Sequence, residues 1–174
     1  NNGQAFPNDS LDPDVELVDF AGTIRSLALG DVNQDGLPDL AVGLNGIPSL
    51  FLNSGNSADP FSGPGENIGL PSGLFAADIE FGDIDGDGFL DTIVAQDFLL
   101  GGLLSSNYVF INSQMASPFD GVTPQIIGDN EDESTAIALG DLDGDGDLDI
   151  IFSNGAQANR YHLNDGIGGL GNNH

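Results

Sequence analysis

One twelve-residue segment occurs three times in this chain, and any fold has to carry all three copies in equivalent places. The first runs Leu29-Gly30-Asp31-Val32-Asn33-Gln34-Asp35-Gly36-Leu37-Pro38-Asp39-Leu40. The second is Phe81-Gly82-Asp83-Ile84-Asp85-Gly86-Asp87-Gly88-Phe89-Leu90-Asp91-Thr92, and the third is Leu139-Gly140-Asp141-Leu142-Asp143-Gly144-Asp145-Gly146-Asp147-Leu148-Asp149-Ile150. Their leading aspartates are spaced by 52 and 58 residues.

The flanks repeat as well. A short apolar stretch precedes each segment (24–29, 76–81, 135–139) and another follows it (40–42, 92–95, 150–152). A further strand-like stretch then ends in Asn53, Asn112 or Asn164, and a Gly- or Ser-rich turn leads to Phe61, Phe119 or Leu170. These runs are strand-sized and bounded by turn residues, so the unit reads as strand, acidic loop, strand, turn, strand. A fourth strand is expected in the variable part, for example at 15–20 or 123–127. The opening residues Asn2 to Phe6 resemble the turn after each last strand, and Asn164-Asp165-Gly166 is that turn. Joined head to tail, the next leading aspartate would fall 64 residues on, close to the internal period. We therefore expect a single all-β domain of three units, approximately 1–58, 59–117 and 118–174.

The loop chemistry points to a hard divalent cation. Calcium takes roughly six to eight oxygen ligands at about 2.3–2.6 Å. A tight loop offers it side chains at positions 1, 3, 5 and 9 and a backbone carbonyl at position 7, with a sharp turn at position 6 that suits glycine. The side-chain ligands would be Asp31, Asn33, Asp35 and Asp39; Asp83, Asp85, Asp87 and Asp91; and Asp141, Asp143, Asp145 and Asp149. Leu37, Phe89 and Asp147 would supply carbonyls, while Gly36, Gly88 and Gly146 make the turn. Three calcium ions are expected, the first loop binding weakest because Asn33 replaces an acid. An EF-hand needs a bidentate acid at position 12, where this chain has Val42, Val94 and Phe152. Magnesium demands a stricter octahedron, and zinc or copper would call for His or Cys.

Composition agrees with that reading. There are 28 acidic residues against two basic ones, a formal charge of −26 that opposes compaction unless it is neutralised. Twelve of those acids sit in the three loops. Nucleic acid and anionic membrane surfaces are poor partners for such a chain, because both need Lys and Arg. No apolar run is long enough to span a membrane as a helix. Cysteine is absent, so metal ions rather than disulfides would brace the fold. The chain opens Asn1-Asn2-Gly3-Gln4 without a leader-like stretch, as expected of a mature secreted protein after signal removal or of a piece of a longer one.

Gly-Asp-x-Asp-x-Asp-Gly-x-x-Asp between short strands, with the Leu163-Asn164-Asp165-Gly166 turn downstream, resembles the FG-GAP/VCBS repeats of integrin α-subunit β-propellers and many bacterial extracellular proteins. The resemblance covers nearly the whole chain. It implies a four-stranded blade for each unit, a calcium ion in each loop, and an extracellular setting. Propellers usually close with about four to eight blades, so three would leave two open faces. Two chains could complete a six-bladed ring, copies could stack head to tail into a filament, or the chain could be a fragment of a longer protein.

A non-catalytic structural or adhesive role is the leading expectation. A sugar-binding role would want exposed aromatics, yet there is no Trp, and Tyr108 and Tyr161 fall in strands expected to be core. Protein ligands are a further class of partner. Catalysis has little to work with: no Cys, no Lys, and only His162 in a strand and His174 at the end. The acidic run 129–133 reads as a solvated loop, and Asn8-Asp9-Ser10 matches a short glycosylation pattern.

Overall fold

A computed structural model describes residues 23–69, 75–97, 106–128, 133–155 and 157–166. Eleven strands and no helix lie among them. The first sheet holds β1 (Ile24–Gly30), β2 (Asp39–Leu44), β3 (Ser49–Phe51) and β4 (Glu66–Asn67). The second holds β5 (Ala76–Gly82), β6 (Asp91–Gln96), β7 (Asn107–Phe110) and β8 (Gln125–Ile127). The third holds β9 (Ser134–Gly140), β10 (Asp149–Asn154) and β11 (Arg160–His162).

Each sheet is an antiparallel meander in which neighbours in sequence are neighbours in space. Pairing begins at the acidic loop, where Gly30 faces Asp39, Gly82 faces Asp91 and Gly140 faces Asp149. Equal register at all three loops follows from equal loop length. The same irregularity recurs six positions earlier, near Ile24, Ala76 and Ser134. Every apolar stretch expected to be a strand is one, with ends shifted by a residue or two. The fourth strand expected at 123–127 is β8. The alternative at 15–20 lies outside the described residues, and the fourth strand of the first sheet is the two-residue β4. The sheets run across the 58/59 and 117/118 divisions: β4 and β8 fall after those points yet pair with β3 and β7.

The sheets pack face to face, with β1 against β5 and β5 against β9. Central strands covered on both faces read as continuous apolar runs, and β2 and β6 are buried at every position. Ala28, Val32, Ala41 and Leu50 of the first sheet meet Ile79, Val94 and Phe110 of the second. Ile84, Ile93 and Val109 on the other side of the second sheet meet Ile137, Ile150 and Phe152 of the third. A smaller cluster of Leu40, Val42, Leu44 and Phe51 lies on the far side of the first sheet.

Tyr161 departs from expectation. It is 48% exposed, where its counterparts Leu50 and Val109 are each 1% exposed. The cause is position: Tyr161 is on the outward face of the third sheet, which no further sheet covers among the described residues. Tyr108 is half-buried beside the first cluster, and buried His162 sets its ring edge-on to Phe152 at 5.8 Å.

Ile93→Ala, fully buried between the second and third sheets, is expected to lower unfolding stability by about 2–5 kcal/mol. Leu29→Ala, at a residue 65% exposed, should change it by no more than about 0.5 kcal/mol. Chemical denaturation of the two variants checks the pair.

Candidate metal centre

The anchor of each loop is its ninth residue, the first residue of the second strand. Asp39, Asp91 and Asp149 are all fully buried. One oxygen of each accepts the N–H of position 2, from Val32 (3.1 Å), Ile84 (2.8 Å) and Leu142 (2.7 Å). The other accepts the N–H of the asparagine two residues past the third strand, from Asn53 (2.7 Å), Asn112 (2.8 Å) and Asn164 (2.8 Å). A carboxylate has about four lone-pair sites, so two N–H bonds leave room for a cation.

The asparagines complete the lock. Their side-chain amides donate to the carbonyl of position 8, at Pro38 (3.0 Å), Leu90 (3.0 Å) and Leu148 (3.2 Å). Their side-chain oxygens accept an N–H two residues on, from Gly55, Gln114 and Gly166, all at positive φ. Sequence reasoning marked these asparagines only as strand ends. Their recurrence at the same place in three units was the available signal.

Inside the loops the carboxylates fold the backbone around themselves. At position 1, Asp31 accepts from the N–H groups of Asp35 and Gly36, and Asp141 from those of Gly144 and Gly146. Asp83 accepts from Gly88 at 3.0 Å through Oδ2, while its Oδ1 is buried with no hydrogen-bond partner. Position 3 accepts the N–H of position 5, on Asn33, Asp85 and Asp143. Position 5 accepts the N–H of position 7, so Asp35, Asp87 and Asp145 hold Leu37, Phe89 and Asp147. Asp87 also takes a bond from Gln114 at 2.7 Å.

Gly36, Gly88 and Gly146 have φ of 88°, 90° and 101°, as the turn at position 6 requires. Position 4 is left-handed too, at Gln34, Gly86 and Gly144, a second demand that the sequence reading did not identify. Gln34 bears it while its side chain bonds the Gly88 carbonyl of the next loop at 2.8 Å.

Carboxylate oxygens of Asp83, Asp85 and Asp91 lie within 4.8 Å of one another, and so do those of Asp141, Asp143 and Asp149. Positions 1, 3 and 9 are therefore gathered in loops two and three. Asp87 and Asp145 stand outside these triads and bind backbone instead. Loop one has the same hydrogen bonds but no acidic triad, because Asn33 occupies position 3 and turns its amide toward Asp35 at 3.1 Å.

Gathering carboxylates has an electrostatic cost. Burial, and then neighbouring charge, pushes Asp39, Asp85, Asp143 and Asp147 above the usual carboxylate range. Asp91 is pushed up to about 6, chiefly by burial, against the bonds from Asn112 and Ile84 that favour its ionised form. The donor set fits a hard cation. All the clustered side-chain donors are oxygens, and the partnerless Asp83 Oδ1 is a buried acceptor awaiting a ligand.

Antiparallel meanders of three or four strands packed face to face, first strands adjacent, define a protein built from propeller-type blades. The FG-GAP-like repeat matches residues 31–94 and 95–152, a span that contains all three acidic loops, and the chain belongs to that family. A comparison with curated proteins finds no match.

Two outcomes follow from the geometry. Asp91→Ala strands two N–H groups and should cost about 2–4 kcal/mol even without calcium and more in its presence, whereas Asp85→Ala should matter mainly in its presence; denaturation in calcium and in EDTA separates them. Because the folded-state pKa of Asp91 is raised, the metal-free fold binds that proton more tightly than the unfolded chain. This group therefore stabilises the metal-free protein as pH falls from about 6 toward 4, while the same proton would compete with a calcium ion in the loop. Calorimetric titration should show affinity at loop two falling about tenfold per pH unit below pH ~6.

Proposed function

We propose that the chain is a non-catalytic, calcium-stabilised extracellular structural or adhesive repeat protein that associates with copies of itself head to tail, as a filament or a closed ring. The observation that carries the calcium reading is the threefold recurrence of one oxygen-lined loop, with the acids at positions 1, 3 and 9 drawn together in two of the three copies. FG-GAP-like repeats are often calcium-binding and typically occur in extracellular proteins, which supports both the ion and the setting. Calcium there would act as a fixed brace, since each loop joins two strands of one sheet and its anchoring carboxylate also holds the end of the third.

Three divalent ions would offset six of the 26 net negative charges. Each site filled at 100 times its Kd would add about 2.7 kcal/mol to stability. Mass spectrometry under native conditions should count three calcium ions per chain, the one in loop one leaving first as calcium is lowered. EDTA should lower the melting temperature, and an unchanged melting curve would contradict the proposal.

A sugar-binding role has one supporting observation, the exposed ring of Tyr161. Binding on a glycan array that Tyr161→Ala abolishes would favour it over the structural role.

A further inference from the structure

The two interfaces between sheets within this chain follow one set of contacts. Where the first sheet meets the second, Phe81 and Leu90 close over Gly30, so that a Cβ added there would lie 2.7 Å from Leu90 Cδ1. Where the second meets the third, Leu139 and Leu148 close over Gly82 in the same way, with Leu139 Cδ1 at 2.6 Å. At both interfaces the asparagine of the later sheet donates to the position-2 carbonyl of the earlier one: Asn112 to Val32 (2.8 Å) and Asn164 to Ile84 (2.6 Å). Both also tie an inner-strand N–H to a side chain one sheet back, Ile79 to Ser26 and Ile137 to Asp78, each at 2.8 Å.

The same positions at the two ends of the array are present and unsatisfied. On the third sheet, a Cβ at Gly140 would meet nothing within 4 Å. Leu142 and Tyr161 are 47% and 48% exposed, where the matching Val32, Ile84, Leu50 and Val109 are at most 1% exposed. On the first sheet, Leu29, the counterpart of Phe81 and Leu139, is 65% exposed. Leu27, the counterpart of Ile79 and Ile137, is 52% exposed. Among the described residues the Asn53 amide reaches only the Pro38 carbonyl of its own loop, and no asparagine reaches the Leu142 carbonyl.

We propose that the outward face of the third sheet is a docking surface for the first sheet of a second copy of this chain. In that joint Leu29 enters the hollow at Gly140, Asn53 donates to the Leu142 carbonyl, and Leu142 is covered. This rests on the self-association proposed above and supplies its geometry. A second copy is the occupant because both halves of the joint are on this chain, and the same pairing is already made twice within it. The joint differs from the internal interfaces in three ways. Pro38 stands where Leu90 and Leu148 reach over the glycine, so Leu29 alone enters the hollow. Ala136 stands where Ser26 and Asp78 offer an acceptor, so one hydrogen bond is missing. The outer part of the first sheet's face, at Leu40, Val42, Leu44 and Phe51, is already buried, so docking uses the inner strand and the loop end. Repulsion between chains of like charge further weakens the joint, and calcium and salt relieve it.

The test is sedimentation of the full chain in millimolar calcium across a concentration series, with calcium content and melting temperature confirming that each variant is folded. Gly140→Leu fills a hollow that is empty in the single chain, and Leu29→Asp alters an exposed side chain, so neither disturbs the packed interior. Each is expected to weaken association at least tenfold. Mixed together they should form one-to-one dimers, since each retains the face that the other has lost. Ala136→Ser restores the missing acceptor and should tighten association about two- to tenfold. Variants that associate like the wild type would overturn this joint and leave self-association standing. A wild-type chain that stays monomeric at high concentration overturns both.

Discussion

A buried carboxylate with two backbone N–H donors, present once per sheet, is the constraint from which the rest of this structure follows. Asp39, Asp91 and Asp149 each bind the exit of the first strand and the end of the third while opening the second. Three strands are thereby fixed by one side chain, whose burial would be unfavourable without those bonds. Because the anchor sits at the loop's ninth position, the loop length sets the register of β1 on β2, and it sets the same register in each sheet. Equal registers present equivalent faces, and equivalent faces allow one packing scheme to be used twice. The acidic loop thus acts on the fold before it acts on any metal.

Much of this was legible in the amino-acid order. Short apolar runs flanking Asp31, Asp83 and Asp141 located nine strands, and the recurrent Asp-x-Asp-x-Asp-Gly spacing named the residues that now line the loops. What stayed hidden was long-range. Asn53, Asn112 and Asn164 look like turn residues until the chain has folded, because their partners lie 14 to 21 residues back in their own unit or 80 residues back in the preceding one. β4 has only two residues, Glu66 and Asn67, too few to show a period. Tyr161 reads as core because its counterparts are core, and only the order of the sheets reveals that no further sheet covers it among the described residues. Position 4 escaped notice because Gln34 occupies a left-handed conformation that glycine takes in the other two loops.

Electrostatics and packing pull in opposite directions here. Apolar faces drive the sheets together, yet the same packing lines up three acidic loops in a chain with two basic residues. Arg25 answers part of this locally, reaching from β1 to Asp97 at 2.6 Å and so linking the first and second sheets. That pair is half-exposed and of modest worth. Burial near like charges leaves several loop carboxylates with raised pKa values, which is the signature of groups assembled for something other than their own stability. An oxygen-seeking divalent ion is the partner that would turn this repulsion into attraction.

An array of sheets held by one repeated interface has no intrinsic stopping point. Each sheet offers a glycine hollow and a carbonyl on one side, and an apolar knob and an asparagine on the other. Within the chain, Gly30 and Gly82 receive their knobs and Gly140 does not. The inner half of the first sheet's face is correspondingly bare at Leu27 and Leu29, although its outer half is covered. The apolar character of Leu27, Leu29, Leu142 and Tyr161, at positions that are buried in the interfaces between the sheets, is what would tie the metal loops and the proposed assembly into one argument: the loop fixes the register, the register fixes the faces, and the proposed joint would use those faces once more.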